Sequence, residues 1–258
     1  MKRIFYQVAL CLTVVSAVSC TKIDNYDAPT ETLRGKIIDA GTGKTLQGEV
    51  SGENGIGTRI ELRELSWSDN PTPQYLATMQ DGTYNNTKIF AGKYKISADG
   101  AFVPLVQTGP PAVDNSKTVD VHGGVTTVDF TVEPFLRVEW VGEPILNPNG
   151  TITVKVKITR GTDHPDFQLN VTDINLYVNR LPFVGNNANS FDARYSKRTP
   201  YSGTDGNNLL GEVLTLTTTG GALPTNRDWF LRVGARTTYP NNGRPFNYNE
   251  VIKVSIPK

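Results

Sequence analysis

Two cysteines, two histidines and two methionines in 258 residues leave this chain short of the side chains that carry thiol, metal and redox chemistry. Cys11 lies inside an apolar N-terminal run, and the other cysteine is Cys20. Cleavage before Cys20 would leave one thiol, so no internal disulfide forms and packing alone must hold the fold. His122 and His164 lack spaced partners, whereas zinc needs three or four converging ligands. Asp163 and Asp166 do not repeat the regular oxygen pattern of a calcium loop. Neither a metal site nor a cofactor is expected. A Gly-x-Ser-x-Gly nucleophile elbow is missing too. Glu49, Glu53, Asp69, Asp163, Asp166 and Glu250 read as solvated loop charge, with nothing in the sequence to pair two of them across a cleft. The chain is read as non-catalytic.

An excess of one charge is also absent. There are 26 basic and 25 acidic residues, and without Lys2 and Arg3 the basic count falls to 24. With no basic patch or tail, the chain is expected to bind no nucleic acid and to make no electrostatic contact with membranes. Gly41-Thr42-Gly43-Lys44-Thr45 imitates the end of a phosphate-binding loop. However, Ile38 stands where that motif needs its first glycine, and no helical pattern follows, so a plain β-turn is expected.

Long hydrophobic runs are lacking as well. The apolar stretch from Val8 to Val18 is too short to span a bilayer as a helix. Its flanks, Lys2 and Arg3 before it and Ala17 and Ser19 after it, fit a cleaved export signal. A cysteine directly after Ala17-Val18-Ser19 looks like a bacterial lipoprotein signal, with residues 1–19 removed and Cys20 lipidated. Residues 20–31, rich in Asp, Asn and Pro, read as a tether. Lys22, Asp24 and Asp27 loosely resemble the acidic surface-export pattern of Bacteroidota lipoproteins. The expected location is the outer membrane, lipid-anchored and facing the cell surface.

What is present is strands and turns. Ile60 and Leu62 alternate with Glu61 and Arg63, and Val128, Phe130 and Val132 alternate with polar neighbours. Gly41-Thr42-Gly43, Asp81-Gly82, Ala91-Gly92 and Gly123-Gly124 close such runs. A fresh series begins near Glu133-Pro134. There Ile152, Val154, Val156 and Ile158 alternate with Thr153, Lys155 and Lys157, the pattern of a strand with one wet side. The fold class is all-β, with two β-sandwiches at residues 32–132 and 133–258. Short strands over about 100 residues make the second immunoglobulin-like or fibronectin-III-like. Buried positions should include Ile60, Leu62, Tyr94, Ile96 and Phe130 in the first unit. In the second they should include Val138, Trp140, Val154, Leu176, Leu231 and Val254, with Trp229 also in the core.

Several segments carry a family resemblance: Asp24-Asn25-Tyr26-Asp27-Ala28-Pro29, Gly35-Lys36-Ile37-Ile38-Asp39, the stretch from Trp67 to Pro73, and that from Asp81 to Lys88. Together with Arg232-Val233-Gly234-Ala235-Arg236, they resemble the DUF3823-type lipoproteins of the Bacteroidota. The resemblance implies a carboxypeptidase-regulatory-like, transthyretin-like first domain and an immunoglobulin-like second one. It also implies a place beside SusC/SusD-type glycan-uptake complexes, with a SusC/SusD-type protein as partner. It carries no catalytic residues.

Loop aromatics among amides are the remaining signal, because a flat ring stacks on a sugar while amides satisfy its hydroxyls. Trp67 sits among Ser66, Ser68, Asp69 and Asn70. If a short strand around Phe191–Tyr195 follows Ile174–Arg180, alternate loops of the second sandwich emerge at one end. Phe167, Tyr201, Tyr239, Phe246 and Tyr248 would then converge there with Asn207, Asn208, Asn241 and Asn247 as a glycan site. The function expected is capture or presentation of glycan beside the uptake complex. The alternative is an interaction subunit that touches only protein.

Overall fold

The computed structural model describes residues 28–50, 57–240 and 243–258; the leader, Cys20 and Asn241 lie outside them. The chain is all-β. Its first part forms β1 (Glu31–Asp39), β2 (Arg59–Glu64), β3 (Gln74–Ala77), β4 (Thr83–Ile89) and β5 (Gly92–Asp99). There follow β6 (Val106–Gln107), β7 (Val113–Asp114), β8 (Lys117–Val121), β9 (Val125–Thr127) and β10 (Phe130–Val132). One sheet is centred on β1, which runs antiparallel to β4 and parallel to both β9 and β10. The facing sheet has the order β3-β2-β5-β8. In β5 the pattern of Tyr94, Ile96 and Ala98 buried between Lys93, Lys95 and Ser97 shows how period two selects a face. Leu33, Ile37, Ile60, Leu62, Tyr94, Ile96 and Phe130 form the core between the sheets, all at most 2% exposed. Each such side chain contributes roughly 1.5–3 kcal/mol by leaving water.

The parallel pairing of β1 with β9 and β10 orients the molecule. Thr32 is opposite Val125 and Asp39 is opposite Val132. The chain therefore enters the first domain at one end and leaves it for the second at the other.

The second part contains β11 (Leu136–Trp140), β12 (Ile145–Leu146), β13 (Ile152–Arg160), β14 (Val171–Asn179) and β15 (Lys197–Pro200). It ends with β16 (Val213–Thr217), β17 (Arg227–Thr237), β18 (Asn247–Tyr248) and β19 (Ile252–Ile256). In one sheet β13 is flanked by β11 and β12 on one edge and by β16 on the other. In the other sheet the order is β15-β14-β17, with β18 and β19 sharing the far edge of β17. Val154, Leu176, Trp229 and Leu231 fill the space between, at 2% exposure or less.

Three expectations need correction. Trp140 and Val254 pack on this core but are only half-buried. Both lie on edge strands, where a core-facing side chain has no neighbouring strand to enclose it. The strand expected around Phe191–Tyr195 does not form, because the Asp192 carboxylate accepts the Arg194 N–H and the Asp192 carbonyl accepts from Tyr195 and Ser196. That turn moves the strand on to Lys197–Pro200.

Candidate functional site

The two sandwiches are joined by more than the chain. Phe135 N–H donates to the Ala101 carbonyl and Val103 N–H to that of Glu133, so the residues after β5 clamp the crossing segment. Asn247 extends the clamp by donating to the Ala101 carbonyl while accepting from Leu136 N–H. Arg137 at the start of the second domain holds Asp39 at the end of β1 through two bonds of 2.7 Å. Burial opposes ionisation of Asp39, yet the Arg137 guanidinium and the Gly41 N–H outweigh it and hold the carboxyl below its usual range.

A second interdomain contact is buried and polar. Glu49, 2% exposed, accepts the Tyr248 hydroxyl at 2.6 Å and the Asn186 N–H at 3.1 Å. Arg232, fully buried in β17, donates to the carbonyls of Asn249, Val184 and Gln80 and stacks 4.2 Å over the Tyr248 ring. Burial draws Arg232 down to about 10, which leaves it charged at neutral pH. Burial, and then the Glu49 charge, push the Tyr248 hydroxyl well above its ordinary value, so it stays a donor.

Between these contacts lies a cleft of about 320 Å³. One wall is the turn that follows β1, from Asp39 to Gln47, and the other is β11 with Tyr248, Asn249 and Glu250. Clefts of this size between domains are common ligand sites. Trp140 supplies an apolar surface, its indole N–H fixed by the Glu250 carbonyl at 2.9 Å. Arg137, Asp39, Lys44 and Gln47 supply charge and amide groups. Asn249 also lines it and is 4% exposed, with Oδ1 taken by Val233 N–H and Nδ2 without a partner. A buried unpaired donor costs about 1–3 kcal/mol, and Asn249 Nδ2, closed off from solvent, is a structural cost that a ligand in the cleft does not reach.

The edge of β11 adds backbone groups. Val141 N–H bonds to the Lys155 carbonyl, so odd-numbered residues of this strand face β13 and even-numbered ones face away. Leu136 N–H points to the open edge and is taken by Asn247. Val138 and Trp140 share that orientation, and the open edge presents their backbone donors and acceptors on the cleft side. Hydroxyl-rich ligands use both.

Of the aromatics expected to form a sugar surface, Phe167, Tyr201 and Tyr239 are brought to one end of the second domain, and Phe246, Tyr248 and Trp67 lie elsewhere. Phe167, 9% exposed, and half-buried Tyr239 join Phe135 in closing the end of the second core. Tyr201 is half-buried against the same core. Phe246 and Tyr248, 3% and 4% exposed, belong to a separate cluster with Tyr177 on the opposite face of the β14–β17 sheet. The loops do meet at one end, since Tyr201 N–H bonds to Thr172 and Thr238 N–H to Asn170. That end faces the first domain, and its rings close the core there, with Tyr201 and Tyr239 each keeping part of their surface exposed. Trp67, 70% exposed, lies far off at the other end of the first domain, its indole N–H on Glu64 at 2.7 Å. Asn207 spends its amide on Val171, Arg160 and Asn170, holding loops in place. The cleft residues were missed for a physical reason: Asp39 and Arg137 are 98 positions apart, and Trp140 obeys the same alternation as a core residue. The dismissed Gly41–Thr45 segment is a turn, with Gly43 at φ +70°, and it forms part of the cleft wall.

The crystal structure of a DUF3823 family protein from Bacteroides uniformis is 37% identical, with 89% of this chain and 100% of that one covered and a TM-score of 0.79. The chain belongs to the DUF3823 family. The family described as "Protein of unknown function (DUF3823) N-terminal domain" matches residues 31–133 of this member. A second structure from B. uniformis, described as a "putative carbohydrate binding protein", is 22% identical over 88% of this DUF3823 chain and all of its own, with a TM-score of 0.66. A DUF3823 family protein from Parabacteroides merdae is 19% identical over 89% of this chain and all of its own, with a TM-score of 0.61. These two share the fold. No curated protein matches the chain.

Proposed function

We propose that this DUF3823 protein is a non-catalytic lipoprotein, anchored to the outer membrane through Cys20, that captures or presents glycan in the interdomain cleft beside a SusC/SusD-type uptake complex. One observation carries the reading: the interdomain cleft sets the half-buried Trp140 ring and the open edge of β11 across from Lys44 and Gln47. The ring offers an apolar surface, while Lys44, Gln47 and the open edge of β11 offer the donors and acceptors a polyol needs. The fold relative described as a putative carbohydrate binding protein points the same way. A four-stranded sheet packed on a five-stranded one, with β11 and β12 sharing one edge and β18 and β19 another, supports the reading of the second domain as immunoglobulin-like. The lining holds Asp39, Glu139 and Glu250 against Lys44 and Arg137, which favours a neutral sugar over a polyanion.

A glycan-array screen of the protein, followed by calorimetric titration of the hits, tests this. Trp140→Ala and Gln47→Ala should each weaken binding, the first by at least about tenfold, or 1.4 kcal/mol. An array without hits, or a hit bound equally by Trp140→Ala, refutes it. A second reading, an interaction subunit that touches only a SusC/SusD-type protein, draws on Leu181 and Phe183, which stand 60% and 57% exposed in the loop after β14. It requires an empty array together with a co-purifying partner that Phe183→Ala releases.

A further inference from the structure

The end of the first domain that points away from the second carries exposed apolar side chains on preformed turns. Trp67 is 70% exposed in the β2–β3 connection, Phe90 41% exposed between β4 and β5, and Val125 57% exposed at the start of β9. The pairings put them together. Glu31 is opposite Ile89, Thr32 is opposite Val125, and Gly92 is opposite Val121. Lys93 N–H donates to the Ser66 hydroxyl at 3.0 Å and Leu65 N–H to the Lys93 carbonyl at 2.7 Å, tying the Trp67 turn to the Phe90 turn. Tyr94 fixes the latter by donating to the Phe90 carbonyl.

This is also the end at which the chain enters. Ten residues lie between Cys20 and Glu31, a reach of at most about 40 Å over the eleven steps when fully extended. A lipid on Cys20 would therefore hold this end within touching distance of the bilayer. Trp is the side chain that settles best at the headgroup level, with an apolar ring and a polar N–H. Singly exposed apolar residues are ordinary, but two aromatics and a valine at the one end nearest the tether are not scattered.

We propose that the Trp67–Phe90 end of the first domain rests in the headgroup region of the membrane that holds Cys20. This rests on the lipid-anchor reading above. The surface taken up is a lipid bilayer; among the described residues Lys88 and Lys93 flank Phe90, fewer than the roughly four to eight basic residues of an anionic-lipid site, so the contact does not depend on anionic lipid. The nine residues of β1 then lift the cleft roughly 30 Å off the membrane.

The acylated full-length protein is reconstituted into phosphatidylcholine vesicles, with and without bromine-labelled acyl chains, and its tryptophan emission is compared. Trp229 is buried and Trp140 half-buried, both in the second domain, so lipid quenching should come from Trp67 and most of it should vanish in Trp67→Phe. Exchange of a fifth of the lipid for phosphatidylglycerol should leave it unchanged. Flotation of the same samples reports the anchor separately, with Cys20→Ser as the control that stays at the bottom. Wild-type protein that floats without quenching, or is quenched equally in Trp67→Phe, overturns the docking while the anchor stands. Wild-type protein that does not float overturns both.

Discussion

Arg232 is buried with no carboxylate in hydrogen-bond contact; its charge is spread over three carbonyls and the Tyr248 ring, and the Glu49 carboxylate, bonded to that tyrosine, lies near enough to favour the charge. Removing it strands the Asn249 and Val184 carbonyls, while that of Gln80 keeps the Gly48 N–H, and it takes a nearby cation from Glu49. Arg232→Met should therefore cost about 3–5 kcal/mol, read as a lower urea midpoint. Arg232→Lys should recover only part of this, because one ammonium cannot span three carbonyls set around a planar fork. Tyr248→Phe removes the donor to Glu49 and should cost about 1–3 kcal/mol. If Tyr248→Phe unfolds at the wild-type midpoint, Glu49 has another source of compensation and the buried contact is not what joins the domains.

At the level of elements, β11 and β17 show why two tryptophans on similar strand faces have different roles. Trp229 lies in β17, a central strand, and is fully enclosed with its indole N–H on the Pro224 carbonyl. Trp229→Ala should cost roughly 3–5 kcal/mol and leave any ligand affinity of the folded fraction intact. Trp140 lies at the end of edge strand β11, so Trp140→Ala should cost less and act mainly on binding. Paired thermal melts and titrations separate the two, and equal stability losses would show that the β11 edge is not open. In β1, Gly35 has a different duty. A methyl there would overlap the Val128 carbonyl, which accepts the Tyr84 hydroxyl where the parallel pairing passes from β9 to β10. Gly35→Ala should lower stability by about 1–3 kcal/mol, visible as a lower Tm.

Across the whole molecule, the Asp39–Arg137 pair makes the domain arrangement sensitive to acid. The folded carboxyl titrates below the usual value of about 3.9, so its contribution is complete above that pH and disappears as pH falls through the lower folded value. Asp173, held low against burial by Arg236, adds a contribution of the same sign within the second domain. Melting temperatures measured from about pH 7 to pH 3 should therefore fall most steeply at the acid end. Asp39→Asn should lower Tm at pH 7, by an amount matching about 1.5–3 kcal/mol for a hydrogen bond between charged groups, and should show a shallower acid decline. Parallel curves for wild type and Asp39→Asn would mean that this pair does not couple the domains.

Alternation of apolar and polar residues is local, and local rules decided a great deal here. The strands around Tyr94, Val154, Leu176 and Leu231, their buried faces and the all-β class were legible because period two needs only neighbouring residues. Turn chemistry was legible for the same reason at Gly41–Thr45, but not at Asp192, where one side-chain bond displaced a strand by several residues. The site was of another kind. Whether an aromatic closes a core or lines a cleft depends on what arrives from elsewhere in the chain. Phe167, Phe246 and Tyr248 are covered by segments tens to hundreds of residues away, with Glu49 reaching Tyr248 across 199 positions. Trp140 stays half open because its strand ends at an edge that no other strand occupies. Sequence alone determined which residues avoid water; the tertiary structure decided which of them keep a face in it, because burial of a side chain is a property of its neighbours in space.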